Sequence, residues 1–353
     1  MVVRVVRLGD LFLATVVNML AARLHLQGDK RELRLDDIAV PEPGVGQILI
    51  KVQAAGVCLS DAHLIDGTLT PAHLDSAIVI LGHEVAGTVH SLGPGVSGPT
   101  IGTRVLLQAG EFRNGVPYTR GADFDGGWAE YALASVDTVV PIPDSMPFEQ
   151  ACFIPDAVST SWAAITATAA VRAAESVGVW GAGGLGAHAI QLLHLVGAAP
   201  IIAIDPLEAA RDRALQFGAD LALDPADPTV RDQILANTGG RGITAAFDFA
   251  GVDPVRTQAL TCLAPGGRLI LVGLTGRPIT ITDSSLFCSF QNQVRGHFGS
   301  KPEHIVELVT LYGANRVEFS RSVSSIVPLA DAAKAVQSLE TKQGNPIRII
   351  LKP

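Results

Sequence analysis

Apolar and polar residues alternate over most of the first 150 positions. Ala22–Leu26 and Glu32–Asp36 place apolar side chains at every second residue, and Gln27-Gly-Asp-Lys30 between them predicts a hairpin. Pro41-Glu-Pro-Gly44 breaks the chain before another strand, Gln47–Ala54, and further strands are expected at Glu84–His90, Thr103–Leu107 and Trp128–Ala132. The region is β-rich, with little helix.

After about Thr160 the period changes. Short apolar runs at Val177–Trp180, Ile201–Ile204, Leu221–Leu223, Ala245–Phe249, Arg268–Val272 and Val294–His297 read as buried strands. Between them Leu207–Phe217, Val230–Asn237 and Pro254–Leu263 have helical periodicity, so a parallel sheet covered on both faces is expected. Pro302–Leu311, Leu329–Leu339 and Ile347–Leu351 then read as helix, helix and strand, enough structure to pack back on the β-rich part.

The break after Val177–Trp180 carries Gly181, Gly183 and Gly186 at G-x-G-x-x-G spacing, followed by a helical pattern through Ile190, Leu192, Leu193 and Leu195. Such glycines permit a tight turn, a close approach of backbone to a pyrophosphate, and close helix–strand packing. The helix N-terminus offers unsatisfied N–H groups to the phosphates. The next strand ends at Asp205, about 20 residues on, where an acid bonds the adenosine ribose of NAD and repels the 2′-phosphate of NADP. A methyltransferase also puts an acid after its second strand, so a different enzyme class stays open at this point.

Composition narrows the choice. The 353-residue chain is long enough for two domains; it is 48% hydrophobic and 17% charged, with a net charge of −8 and no basic cluster, which argues against nucleic acid as a partner. Four widely spaced cysteines, Cys58, Cys152, Cys262 and Cys288, form no C-x-x-C pair and suit a reducing, cytoplasmic setting. Leu11–Ala22 is apolar and follows Arg4 and Arg7, but it is too short to span a bilayer, so no membrane association is expected. Residues 1–18 are taken as an N-terminal extension.

Two segments of the β-rich part carry candidate chemistry: Ala55-Gly-Val-Cys58-Leu-Ser60-Asp61-Ala-His63, and Gly82-His83-Glu84-Val-Ala-Gly87 with Gly93 and Val96 beyond it. By itself Cys58 reads more readily as a small buried hydrophobe than as a ligand, and His83-Glu84 equally as a pair satisfied at a strand start. Taken together with the Gly181–Gly186 loop, these runs resemble the zinc-dependent medium-chain dehydrogenase/reductase (alcohol dehydrogenase) family, from about Met19 to Pro353.

The resemblance implies an α/β protein with a GroES-like β-rich catalytic domain (19–160 and 298–353) interrupted by a Rossmann doubly wound parallel-sheet domain (161–297) that binds NAD(H). It implies Cys58 and His83 as zinc ligands. The family's third ligand precedes by four positions a threonine that packs on the nicotinamide; counting back from Thr160 gives Asp156 rather than Cys152. Carboxylate oxygen is an acceptable zinc ligand. Asp61 would orient His83, and Glu84 would sit by the metal. Ser60 would bond the substrate oxygen, with the proton leaving through the nicotinamide ribose to His63.

For the cofactor, the resemblance implies Gly181, Gly183, Gly184, Leu185 and Gly186 at the pyrophosphate, Asp205 at the ribose, Val272 and Leu274 at the carboxamide, and Arg348 at the pyrophosphate. Leu69, Ala109 and Leu274 would line the substrate pocket, the small Ala109 leaving room for secondary or bulky alcohols. Many relatives bind a structural zinc through four cysteines in the lobe matching about Ala109–Asp125; this stretch has none, so one catalytic zinc per chain is expected. A homodimer or homotetramer, built through the apolar stretch Ile279–Leu286, is also expected. The rival readings are a zinc-free enoyl or quinone reductase of the same superfold and a non-catalytic nucleotide-binding protein.

Overall fold

The computed structural model describes residues 17–28, 30–74 and 76–353; the expected extension over 1–18 lies almost wholly outside them. Two compact units are present, one running to Asp156 and taking in Ile305–Pro353, the other Ala157–His304.

In the first unit the expected hairpin forms between Asn18–Gln27 and Lys30–Ala39, with Ile78–Ile80 on the other side of the first strand. A seven-stranded sheet has Gln47–Val57 at its centre, flanked by Val85–Leu92, Tyr131–Ser135 and Arg348–Lys352. The C-terminal strand returns antiparallel to Gln47–Val57, setting Ile350 opposite Gly56. Its neighbour Val323–Pro328 is largely exposed, with the polar Ser324 and Ser325 in succession, which hid it from a hydrophobic reading. The strand expected at Trp128–Ala132 begins only at Tyr131. Trp128 instead plugs the core, fully buried, its indole N–H donating to the Gly56 carbonyl at 3.0 Å. Gly82, at φ +91°, lies so close to this indole that a Cβ there would meet Trp128 Cδ1 at 2.1 Å.

A small lobe carries the hairpin Gly110–Arg113/Val116–Thr119. It is clasped by Arg120, only 1% exposed, whose guanidinium donates to the carbonyls of Gln108 and Leu133 and lies 5.1 Å from the Phe124 ring centre. Arg113 stacks over Tyr118 and Phe124.

The second unit is a six-stranded sheet, parallel throughout, in the order Leu221–Leu223, Ile201–Ile204, Val177–Trp180, Ile243–Asp248, Leu263–Leu271, Gln293–Gly296. Numbered along this unit, the order is 3-2-1-4-5-6, that of a doubly wound dinucleotide-binding fold, with its switch point beside Val177–Trp180. The adjacent strands Val177–Trp180 and Ile201–Ile204 are buried along their whole length, as a sheet covered on two faces requires. The helix expected over Pro254–Leu263 ends at Thr261, because Leu263 already belongs to the next strand. Among the described residues no helix is long and apolar enough to cross a membrane.

Ile350 is fully buried in the returning strand. Ile350→Ala is expected to cost about 2–5 kcal/mol, read as a lower denaturant midpoint by circular dichroism. An unchanged midpoint would mean that the strand adds little to the first unit.

Candidate functional site

The β-rich unit brings four chemically competent side chains together from three places in the chain. Cys58 ends the central strand and caps the helix Leu59–Asp66; His83 and Glu84 follow the Gly82 turn; Asp156 lies in a π-helical turn, Ile154–Val158. π-turns in helices recur at functional sites because the extra residue re-aims a side chain. One donor atom from each of Cys58, His83, Glu84 and Asp156 lies within 4.8 Å of the others.

The distances suit a shared cation. Asp156 Oδ2 stands 3.7 Å from Cys58 Sγ and 3.4 Å from His83 Nε2. Tetrahedral zinc, with sulfur at about 2.3 Å and nitrogen or oxygen at about 2.0–2.1 Å, sets its ligands about 3.3–3.5 Å apart. Thiol, imidazole and carboxylate are also a donor set that zinc accepts. Cys152 lies outside the group: its thiol is fully buried, points to the Glu149 carbonyl at 3.7 Å, and is pushed well above its ordinary pKa by that burial.

The surroundings hold these donors in place. Asp61, buried at the third position of the helix, accepts the Cys58 N–H through Oδ2 at 2.9 Å and turns Oδ1 toward His83 Nδ1 at 3.6 Å. That contact is electrostatic, too long for a hydrogen bond. Nε2 faces Asp156, with Ser60 Oγ at 3.5 Å. Burial works against charge on His83, but the Asp61 and Asp156 carboxylates outweigh it and raise its pKa well above the ordinary value. Glu84 is fully buried, and desolvation lifts its carboxyl to about 7 despite Arg348 beside it.

Arg348 is 2% exposed and sets Nη2 3.3 Å from Glu84 Oε1. Within its unit it faces Glu84 of the donor cluster. His63 is exposed on the Ser60 helix; Leu69 packs against the core with its N–H on the His63 carbonyl at 2.8 Å; Ala109 is half-buried, its carbonyl bonded by the Arg120 N–H.

In the Rossmann unit the glycine loop has the expected shape. Gly181 turns at φ +92°, and a Cβ on Gly186 would meet the Gly181 carbonyl oxygen at 1.8 Å, so only glycine lets helix Gly184–Val196 begin there. Gly183 caps that helix and faces open space, leaving its first N–H groups approachable. Leu185 is half-buried, and its carbonyl accepts the Ser161 hydroxyl at 2.9 Å. Asp205 accepts the Ala182 N–H at 2.8 Å and the Leu207 N–H at 2.9 Å, tying the second strand to the loop. Thr160 and Val272 are buried, whereas Leu274 is 67% exposed.

One pair has no signature in the sequence. Buried Asp248 accepts Arg256 Nε at 2.8 Å and the N–H groups of Ala250 and Gly251, while Arg256 Nη2 donates to the Gly273 carbonyl at 3.0 Å. It joins the two loops that follow adjacent strands, Phe249–Gly251 and Val272–Leu274, at the edge where such sheets bind ligands.

Residues 44–144 match the alcohol dehydrogenase GroES-like domain family and residues 184–313 the zinc-binding dehydrogenase family. The chain is 30% identical over 372 residues to an NDMA-dependent alcohol dehydrogenase of Amycolatopsis methanolica, covering 94% of this chain and 98% of that protein. It is 31% identical over 268 residues to the L-threonine 3-dehydrogenase of Pyrococcus horikoshii, covering 71% and 75%. The crystal structure of an alcohol dehydrogenase from Aeropyrum pernix superposes with a TM-score of 0.83 at 28% identity, covering 95% of this chain and 100% of that one. The chain belongs to the zinc-type medium-chain dehydrogenase/reductase family. Within it, this is an oxidoreductase of the alcohol dehydrogenase type.

The glycine geometry gives a contrast to test. Gly183→Ala should leave the melting temperature unchanged yet weaken NADH binding about tenfold, read by fluorescence titration, because its methyl enters the space left for phosphate. Gly186→Val should lower the melting temperature as well. Equal affinity of Gly183→Ala and the parent chain would remove this loop from the cofactor site.

Proposed function

We propose that the protein transfers a hydride reversibly between a secondary or bulky alcohol and NAD⁺, with one zinc held by Cys58, His83 and Asp156. The observation that carries this reading is the convergence of those three donors at zinc-like spacing. When bound there, zinc supplies Lewis-acid polarisation of the substrate oxygen.

The chain's own groups supply the rest. Asp61 holds the Cys58 backbone and orients His83, an arrangement whose loss in metal sites typically costs about 10–100-fold in affinity or activity. Glu84 and Arg348 place a paired charge behind the ligands. Ser60 Oγ takes the proton of the substrate hydroxyl as it gives up its own, which leaves by way of His63. His63, three positions on along the same helix and open to solvent, releases it. Gly181, Gly183, Gly184, Leu185 and Gly186 hold the pyrophosphate, and Thr160, Val272 and Leu274 seat the nicotinamide. Asp205 favours NAD⁺ over NADP⁺ by placing a carboxylate at the adenosine ribose. Leu69 and the small Ala109 shape the pocket for branched substrates.

A homo-oligomer built through the Rossmann unit is part of the same proposal. Its support is the apolar exposure of Leu274, Ile279, Ile281 and Leu286 in the stretch leading to the sheet-edge strand Gln293–Gly296.

Metal analysis of purified variants tests the ligands. Cys58→Ala and Asp156→Ala should lose zinc and activity together, whereas Cys152→Ala should keep both. Retention of zinc by Asp156→Ala with loss from Cys152→Ala would reverse the assignment. A panel of primary and branched secondary alcohols with NAD⁺ and NADP⁺ should show the highest kcat/KM for a secondary alcohol with NAD⁺; a strong preference for ethanol would refute the pocket assignment.

A further inference from the structure

The segment Ser159–Ala169 carries Thr160 and is irregular, a short α-helical stretch running into a π-helical one over Ala164–Ala169. Irregular helix leaves the exact position of Thr160 under-determined by its own backbone ladder. The end of the sheet's edge strand reaches across to it through side chains. Arg295 Nη1 donates to the Thr168 carbonyl at 2.7 Å, and the Ser300 hydroxyl donates to Ser159 Oγ at 2.8 Å.

Between these two contacts lies His297. Its Nε2 is 3.0 Å from the Thr160 carbonyl oxygen and its Nδ1 is 2.8 Å from Thr168 Oγ1. A carbonyl can only accept, so Nε2 carries the proton; in the neutral ring Nδ1 is then an acceptor and the Thr168 hydroxyl donates to it. Burial depresses the His297 pKa and so favours that neutral form. The imidazole is a rigid two-point brace, joining the first turn of the segment to its π-helical part.

We infer that His297 is a positioning residue for the cofactor, fixing Thr160 at the nicotinamide through the Nε2–H···O=C bond while Thr168 fixes the ring. The inference rests on the reading that Thr160 packs on the nicotinamide. His297 touches no reacting atom and acts only through Thr160. Loss of one buried hydrogen bond corresponds to about a three- to tenfold effect on an equilibrium. That effect belongs in cofactor binding and in the discipline of the ring, not in overall folding.

Four variants of the zinc-loaded full chain separate the possibilities. His297→Ala is expected to raise KM for NAD⁺ about three- to tenfold with kcat changed less. With an alcohol deuterated at the carbinol carbon, it should also deliver a measurable share of deuterium to the wrong nicotinamide face, seen by proton NMR of the product. His297→Gln, whose amide N–H can reach the Thr160 carbonyl, should recover most of the lost affinity, and Thr168→Val should fall between. If His297→Ala lowers the melting temperature while KM for NAD⁺ and facial selectivity stay at parent values, His297 is only structural and the inference fails. Thr160→Ala tells the two readings apart: an effect there without one at His297 sinks this inference alone, and no effect at either sinks both.

Discussion

Two carboxylates, a thiol and an imidazole crowd into one small, mostly buried volume, and the rest of the molecule is arranged around that constraint. Packing Asp156, Glu84 and Asp61 about His83 concentrates negative charge where water is scarce. Such an arrangement is costly without compensating positive charge. Arg348 answers for Glu84 within the protein, and the raised pKa values of His83 and Glu84 show the residual pull toward protons. A divalent ion at the centre would relieve the same imbalance, which is the electrostatic argument for a cation among these donors.

The fold supports this crowding through backbone rather than through flexible side chains. Cys58 leaves the central strand directly into a helix whose Asp61 bonds the cysteine's own N–H. The Gly82 turn presses on Trp128, and the indole is bonded in turn to Gly56 on the central strand. His83 and Cys58 are therefore referenced to the same three-residue core contact. The returning strand Arg348–Lys352 adds Arg348 to the arrangement.

Much of this architecture was legible in the sequence because its signals are local. The switch from period two to alternating strands and helices, and the glycines at 181, 183 and 186, reflect sterics within a few residues. Asp156 was singled out by the resemblance, counted back four from Thr160, and the structure sets it with Cys58, His83 and Glu84. The remaining features depend on pairs distant in sequence. Nothing near Thr160 announces His297, because that contact exists only once separate stretches of the chain align. Arg348 stood out only through the resemblance, and its ion pair with Glu84 needed the register of the returning strand. The strand Val323–Pro328 was hidden because a largely exposed edge strand interrupted by two serines lacks the apolar run that betrays a buried one.

The lobe around Arg120 has its own consequence. Its hairpin is clasped by a guanidinium gripping two carbonyls and by arginines stacked on aromatic rings, in a stretch devoid of sulfur. Such a clasp offers a chelator nothing to strip and an oxidant nothing to bridge. Stress that disarms the donor cluster would therefore spare the architecture beside it, leaving a chain that is silent but still shaped to be recharged.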